Sequence, residues 1–268
     1  MNRRMHGAVG LLGIVFAFLS GTAMAGDDSP TIRWSTGVEY STGTYGGTAD
    51  IEDLYVPLKG RLKFGRVSFN LTVPYLSIRA PAFTTITEPG GDIVPGSGEI
   101  ITESGLGDVI VGMTIYDVAY SDELGIALDL TGKIKFGTAD EARGLGTGEQ
   151  DYTVRADVYK FFEQFTLLTS AGYKLRGDPV DIDLKNVLLG SFGGVYMPSE
   201  DTSLGLIYDY RESALTDGDD IAELSAFASR QIDDRWAVQF YVFTGFSDGI
   251  ADWGGGIQFE MAPRMTNR

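Results

Sequence analysis

Between Asp53 and Ile78 the residues alternate with a period of two, and the alternation breaks only at Gly65-Arg66. Leu54, Val56, Leu58, Gly60, Leu62 and Phe64 share one face, and Asp53, Tyr55, Pro57, Lys59, Arg61 and Lys63 share the other. Beyond the break, Val67, Phe69, Leu71, Val73 and Tyr75 oppose Ser68, Asn70, Thr72 and Pro74. Period two means strands, and a two-residue connection makes them an antiparallel hairpin. Each arm is about 11 residues, long for a soluble strand but matched to a tilted strand crossing a bilayer. The prolines test the register. If Phe64 faces Val67, Pro57 faces Pro74 in a non-hydrogen-bonded pair. Neither then costs the hairpin a bond, and each strand gives one up to its outer neighbour instead.

The same alternation recurs along the chain. Strands are expected at 31–41, in the two hairpin arms, and at 105–117, 124–136, 151–160, 165–175, 186–196, 202–211, 221–230, 236–246 and 252–261, twelve in all. Even-numbered strands lead into short turns. Odd-numbered ones lead into longer loops at 42–49, 79–103, 137–150, 176–185 and 212–220; the last connection, 247–250, is short. That asymmetry is the plan of an outer-membrane barrel, with short periplasmic turns, longer outer loops and both termini inside. Aromatic residues on the apolar faces sort into two groups by height. Trp34, Phe64, Phe165, Trp236 and Phe259 lie near the turn side, and Tyr40, Tyr75, Tyr152, Tyr173, Tyr210, Phe246 and Trp253 near the loop side. Two girdles are what membrane interfaces select. The expected class is all-β: a 12-stranded antiparallel transmembrane β-barrel of the outer-membrane type. Period two alone does not separate inside from outside, so a soluble barrel with its apolar face inward is the competing arrangement.

Residues 1–25 read as a cleavable signal peptide: Arg3 and Arg4, an apolar run from Leu11 to Leu19, then Ala23-Met24-Ala25. The remaining 26–268 shows no linker or low-complexity break and is expected to be one domain. Without the leader, 19 basic side chains face 37 acidic ones, a net charge of −18. Such a surface is wrong for nucleic acid. The single histidine, His6, lies in the leader, and there are no cysteines. Ser-His and Cys-His nucleophiles, thiolate chemistry and ordinary zinc sites are thereby excluded, which argues against an enzyme. No cofactor is expected.

Three motifs carry little. Gly144-Leu145-Gly146-Thr147-Gly148 has Glu149 where a dinucleotide fingerprint needs glycine, and it leads into a strand; a flexible outer loop is the expectation. Asn70-Leu71-Thr72 has glycosylation spacing but lies mid-strand. Asp217-Gly218-Asp219-Asp220 matches no calcium loop and reads as a solvated turn, with divalent-ion binding left open.

The polar face is more informative. It carries Lys59, Arg61, Lys63, Lys133, Lys135, Arg155, Lys174, Arg176 and Arg211, together with Glu39, Asp53, Asp129, Asp157, Asp209 and Glu223. Toward lipid, each Lys or Arg at midplane would cost about 2–4 kcal/mol, so this face is assigned to the lumen. The pore-lining candidates are Lys59, Arg61, Lys63, Asp129, Lys133, Lys135, Arg155, Asp157, Lys174, Asp209 and Arg211. Either they line an aqueous pore and set its selectivity, or they form a salt-bridged filling that closes the barrel. Twelve strands enclose more than side chains fill in an eight-stranded barrel, which favours some aqueous space. Only Gly26–Pro30 precede the first strand, too little for a plug from that side.

Val73-Pro74-Tyr75-Leu76, Ser104-Gly105-Leu106-Gly107-Asp108, Lys135-Phe136-Gly137 and the glycine-rich loop with Asp151, taken in that order, resemble the family named for the meta-pathway of phenol degradation. The family often has Pro-Thr-Gly where this chain has Phe136-Gly137-Thr138. The resemblance implies an outer-membrane transporter associated with aromatic hydrocarbon catabolism, and supplies no catalytic residues. The expectation is passive diffusion of small molecules, hydrophobic or aromatic as the family name implies, through a charged lumen gated by loops 79–103 and 137–150. A closed structural or surface-binding barrel is the alternative. The implied partners are outer-membrane lipid and a small-molecule substrate; the oligomeric state is left open.

Overall fold

The computed structural model describes residues 30–90, 92–180 and 182–262. The proposed signal peptide lies outside them. The long strands are β1 (Thr31–Gly43), β2 (Ile51–Phe64), β3 (Val67–Pro81), β6 (Ile100–Leu106), β7 (Val109–Ser121), β8 (Ile126–Phe136) and β9 (Asp151–Phe161). They continue as β10 (Phe165–Leu175), β11 (Val187–Ser199), β12 (Thr202–Arg211), β13 (Ile221–Gln231), β14 (Trp236–Gly245) and β15 (Trp253–Met261). The remaining two, β4 (Thr85–Ile86) and β5 (Ile93–Val94), form a separate small hairpin in the loop after β3.

Apart from β6 and β7, each long strand pairs antiparallel with its sequence neighbour, and β1 pairs with β15 from Trp34↔Met261 to Thr42↔Trp253. The sheet therefore closes, and no backbone edge is left for lipid to face. β6 and β7 both pair with β3, one above the other, and form a single interrupted stave. That gives the twelve staves the period-two pattern called for. The soluble, inside-out arrangement is excluded by side-chain direction: Leu58, Leu71, Leu130 and Val242 point outward, while Glu39, Asp53, Asp129 and Arg155 are buried within. All twelve girdle aromatics are exposed on the outer surface or at its rims.

The hairpin has the expected register, with Phe64 opposite Val67 and Pro57 opposite Pro74. Both outer ladders are interrupted where the prolines withhold a donor. β1–β2 pairing skips from Thr36↔Leu58 to Glu39↔Tyr55, and β3 switches from Thr72↔Ile110 on β7 to Tyr75↔Leu106 on β6. At the second break the chain gains one residue, a bulge at Gly107-Asp108, and Gly107 N–H donates to the Pro74 carbonyl (2.9 Å). This bulge is why the fourth stave, expected at 105–117, runs from Ile100 to Ser121 in two pieces. A larger shift separates Ile115↔Leu130 from Ala119↔Leu128; there Asp117 adopts a left-handed φ of 51° and its N–H donates to Asp129 Oδ1 (2.9 Å).

The glycine-rich loop departs from expectation. Gly144, Leu145, Gly146 and Thr147 are buried, so the segment is packed rather than free. Asp108 holds it. Its Oδ1 accepts from Thr138 N–H (2.9 Å) and Ala139 N–H (3.0 Å), and its Oδ2 accepts from Lys135 Nζ (2.8 Å). Lys135 also donates to Thr147 Oγ1 and the Glu149 carbonyl, both at 3.2 Å. A buried lysine that ties β8, the Asp108 bulge and the loop together outweighs the local freedom of three glycines.

Candidate lumen and its outer latch

The barrel sets side chains on alternating faces, so lumen residues come from every second position of each stave. All eleven candidate pore-lining residues lie on the inner face. They do not form one ring. Lys59, Arg61 and Lys63 descend β2 toward the turn side and are half-buried, as is Lys133 on β8. Charges within electrostatic range connect them: Lys133 with Arg155, Lys174 and Lys59, Lys59 with Arg61, and Arg61 with Lys63. A cationic ladder therefore runs from the outer end of the lumen to its inner mouth.

Acids lie beside or across from this ladder. Arg155 pairs with Asp157 (3.0 Å) two residues away on its own face. Glu39, Asp209 and Glu223 form a second acidic group. Glu39 on β1 accepts from Tyr241 Oη on β14 (2.6 Å), over the intervening β15.

The opposite wall carries a buried apolar patch among its polar side chains, which the alternation did not indicate. Leu168, Val195, Ile207, Phe227 and Tyr241 are all buried on the inner faces of β10 to β14. Gly205 makes room for them, since a Cβ there would lie 2.1 Å from the Phe227 ring. Packing on this side leaves the half-buried polar wall formed by Lys59, Arg61, Asn70, Thr72 and Lys133 as the more accessible one.

The outer end is closed by the loop after β3. Backbone bonds from Ala82 N–H to the Glu99 carbonyl (2.9 Å) and Ile86 N–H to the Gly144 carbonyl (2.8 Å) anchor its base. The β4–β5 hairpin then turns inward. Thr87 and Asp92 are buried, and Gly90, with φ of 72°, lies against the Tyr55 ring; a Cβ there would be 3.0 Å from it. Two carboxylates reach the far wall. Glu88 pairs with Lys174 Nζ, and Asp92 pairs with Arg176 Nη2 (2.6 Å) and with Arg211 Nη2. Asp151 on β9 lies 3.8 Å from Lys174 and 3.9 Å from Arg176. Burial works against the Glu88 carboxylate, but Lys174, followed by Arg176 and Lys135, outweighs it and holds its pKa down at about 2.

Glu88 and Asp92 were not legible as site residues. They stand among Pro89, Gly90 and Pro95 in a polar loop, and nothing in one sequence separates an inward-folding loop from an outward one. The only signal was an excess of inward-facing cations at the outer ends of β10 and β12. The Asp217–Asp220 turn is exposed as expected; Asp220 accepts from Ser213 N–H (2.9 Å) and Tyr210 Oη (2.5 Å).

Solved structures with this fold are outer-membrane barrels. The COG4313 outer membrane channel from Pseudomonas putida F1 superposes with a TM-score of 0.71 at 11% identity, over 90% of this chain and all of that one. The CymD monoaromatic hydrocarbon channel gives 0.51 at 10% identity, over 88% and 90% of the two chains. The NanC porin gives 0.52 at 9% identity, over 87% of this chain and all of that one. A search of curated protein sequences finds no match. The family model for the MetA-pathway of phenol degradation matches residues 26–264. The chain belongs to that family.

Proposed function

We propose that the protein is a non-enzymatic outer-membrane channel, exported by its N-terminal segment, that passes small molecules by diffusion along its charged lumen. The observation that carries this reading is the latch. An outer loop folds into a barrel whose inner half is half-accessible, and its tip is held there by ion pairs to the far wall, in addition to the buried Ile86 and Ile93 that join an apolar cluster with Tyr55, Leu76 and Ile78. Ion pairs can be replaced by a charged solute, which gives the loop a way to release that apolar packing alone does not. The family's description and the monoaromatic hydrocarbon channel with the same fold support a hydrophobic or aromatic cargo. Loop 79–103 is the gate, and loop 137–150 is its fixed abutment through Gly144.

The test is conductance of the purified protein in planar bilayers. Discrete current steps support the channel. A flat trace, both for the native protein and for a chain lacking residues 84–95, leaves the closed structural barrel as the better account.

A further inference from the structure

We infer that the Lys174, Arg176 and Arg211 cluster is a binding site for the carboxylate of a small aromatic acid, and that Glu88 and Asp92 occupy it when the hairpin is in. The inference rests on the channel reading and adds the chemical class of the cargo.

The cations stand on the wall, and the anions that neutralise them arrive from a loop. Side-chain exposure of the three cations is 7% or less. Wall acids within range are Asp151 and, for Arg211, Glu223. Withdrawal of the hairpin removes two carboxylates and leaves positive charge in excess. The excess positive charge, in a site only partly reached by water, then favours another anion in that place.

The geometry specifies a carboxylate. Asp92 presents one oxygen to the Arg176 guanidinium and the other to that of Arg211, so that one carboxylate bridges two charge-assisted contacts. The site also has donors to spare. Among the described residues, Nε and Nη1 of Arg176 and Nε of Arg211 have no hydrogen-bond partner although they are buried. A free carboxylate, without a hairpin's tether, can engage donors that Asp92 does not reach.

The surroundings are apolar and suit a ring. Val187 is in register with Lys174 and Leu189 with Arg211, and both are buried; the Tyr55 ring lies against the hairpin tip at Gly90. An inorganic anion gains nothing from these groups, and a neutral hydrocarbon gains nothing from the cations. An aromatic carboxylate uses both. Below the site, Lys133 is within range of Lys174 and begins the ladder along which such an anion would descend.

The test compares benzoate with its neutral analogue benzyl alcohol on the full-length folded protein. Calorimetry in detergent reads binding, and planar bilayers read current. Benzoate should bind and benzyl alcohol should not. Glu88→Gln with Asp92→Asn, which removes the tethered competitors, should tighten benzoate by about tenfold. Arg176→Gln and Arg211→Gln should each weaken it by about tenfold or more, the scale of one charge-assisted hydrogen bond. If an arginine variant lacks the heat-dependent gel shift of a folded barrel, Lys174→Gln is read in its place. Equal binding of the two compounds, or benzoate binding indifferent to all three cations, overturns the inference. Benzoate binding without current in any variant upholds the site and removes the channel. Current without benzoate binding upholds the channel and removes the site.

Discussion

Asp92, at the tip of the β4–β5 hairpin, is ion-paired with Arg211, a residue 119 positions later on the opposite wall of the barrel. One loop thus spans the lumen, and buried charge pairing holds its tip while Ile86 and Ile93 pack at its base. Removing one partner of such a pair costs about 3–5 kcal/mol if the geometry stays fixed. Asp92→Asn is therefore expected to open the channel rather than unfold the barrel, because the hairpin can withdraw while the staves keep their ladders. The open fraction in planar bilayers should rise, and protease should cut within 84–95 faster than in the native protein. A closed trace with an uncut loop would show that the hairpin is held by something other than Asp92.

The latch should also respond to acid. The Glu88 pKa is lowered from its ordinary 4.5 to about 2 by Lys174 despite burial. A group with a depressed folded-state value stabilises the closed form fully above its ordinary value, and loses that contribution as pH falls toward the depressed one. Conductance should therefore be flat from neutrality down to about pH 4.5 and should rise below it, toward pH 2. Glu88→Gln should abolish that acid limb by leaving the latch weakened at every pH. A native profile that is flat throughout would remove Glu88 from the gate.

The barrel was legible because its strongest determinant is local. Period two, turn length and aromatic height are read within one or two staves, and the Pro57–Pro74 opposition followed from counting back from a two-residue turn. What the sequence hid depends on non-local folding. Leu168, Val195, Ile207 and Phe227 look like lipid-facing residues, since an apolar side chain has the same pattern on either side of a wall. Only the phase of the neighbouring staves assigns them inward. Asp92 and Arg211 meet because a loop turns in rather than out, and that choice is made by cations distributed over two distant strands. The Gly107-Asp108 bulge was hidden in a run that reads as a plain strand start.

Asp108 is expected to be a folding determinant. Its carboxylate takes Lys135 and the N–H groups of Thr138 and Ala139, and both side chains are almost wholly buried. Asp108→Ala leaves the Lys135 ammonium with Asp151 at 3.7 Å as its nearest remaining acid. The cost should be about 3–5 kcal/mol, and loop 137–150 should loosen with it. Denaturant midpoints in vesicles give the first and proteolysis within the loop the second. Asp108→Ala with Lys135→Met should recover part of the loss, since the buried charge goes with its partner.

Orientation can be tested at a single stave. Leu130 points outward from the middle of β8, and Thr131 beside it points inward, where its hydroxyl meets Thr114 at 3.0 Å. Leu130→Arg should destabilise the barrel by about 2–4 kcal/mol, the cost of arginine at the bilayer midplane. The same substitution in detergent, where the head group finds water, should cost much less. Equal losses in both would mean that Leu130 does not face hydrocarbon.

The ladder itself decides whether the lumen conducts by charge. Lys59, Arg61 and Lys63 lie on the more accessible wall, toward the inner mouth; Arg61 Nε donates to Asn70 Oδ1 at 3.1 Å, and Lys63 Nζ lies 4.5 Å from the centre of the Tyr116 ring. Reversal of all three to Glu exchanges three positive charges for three negative ones along the path. Those charges act through a confined aqueous space, where fields are screened less than at an open surface. Under a salt gradient the reversal potential should move toward cation selectivity, and the shift should shrink as ionic strength rises. The Asp92→Asn background makes the measurement clean, because it keeps the outer latch from limiting the current. If the reversal potential stays where it was while the current persists, the ions take another route, along the acidic group of Glu39, Asp209 and Glu223, and the ladder is part of the barrel's filling.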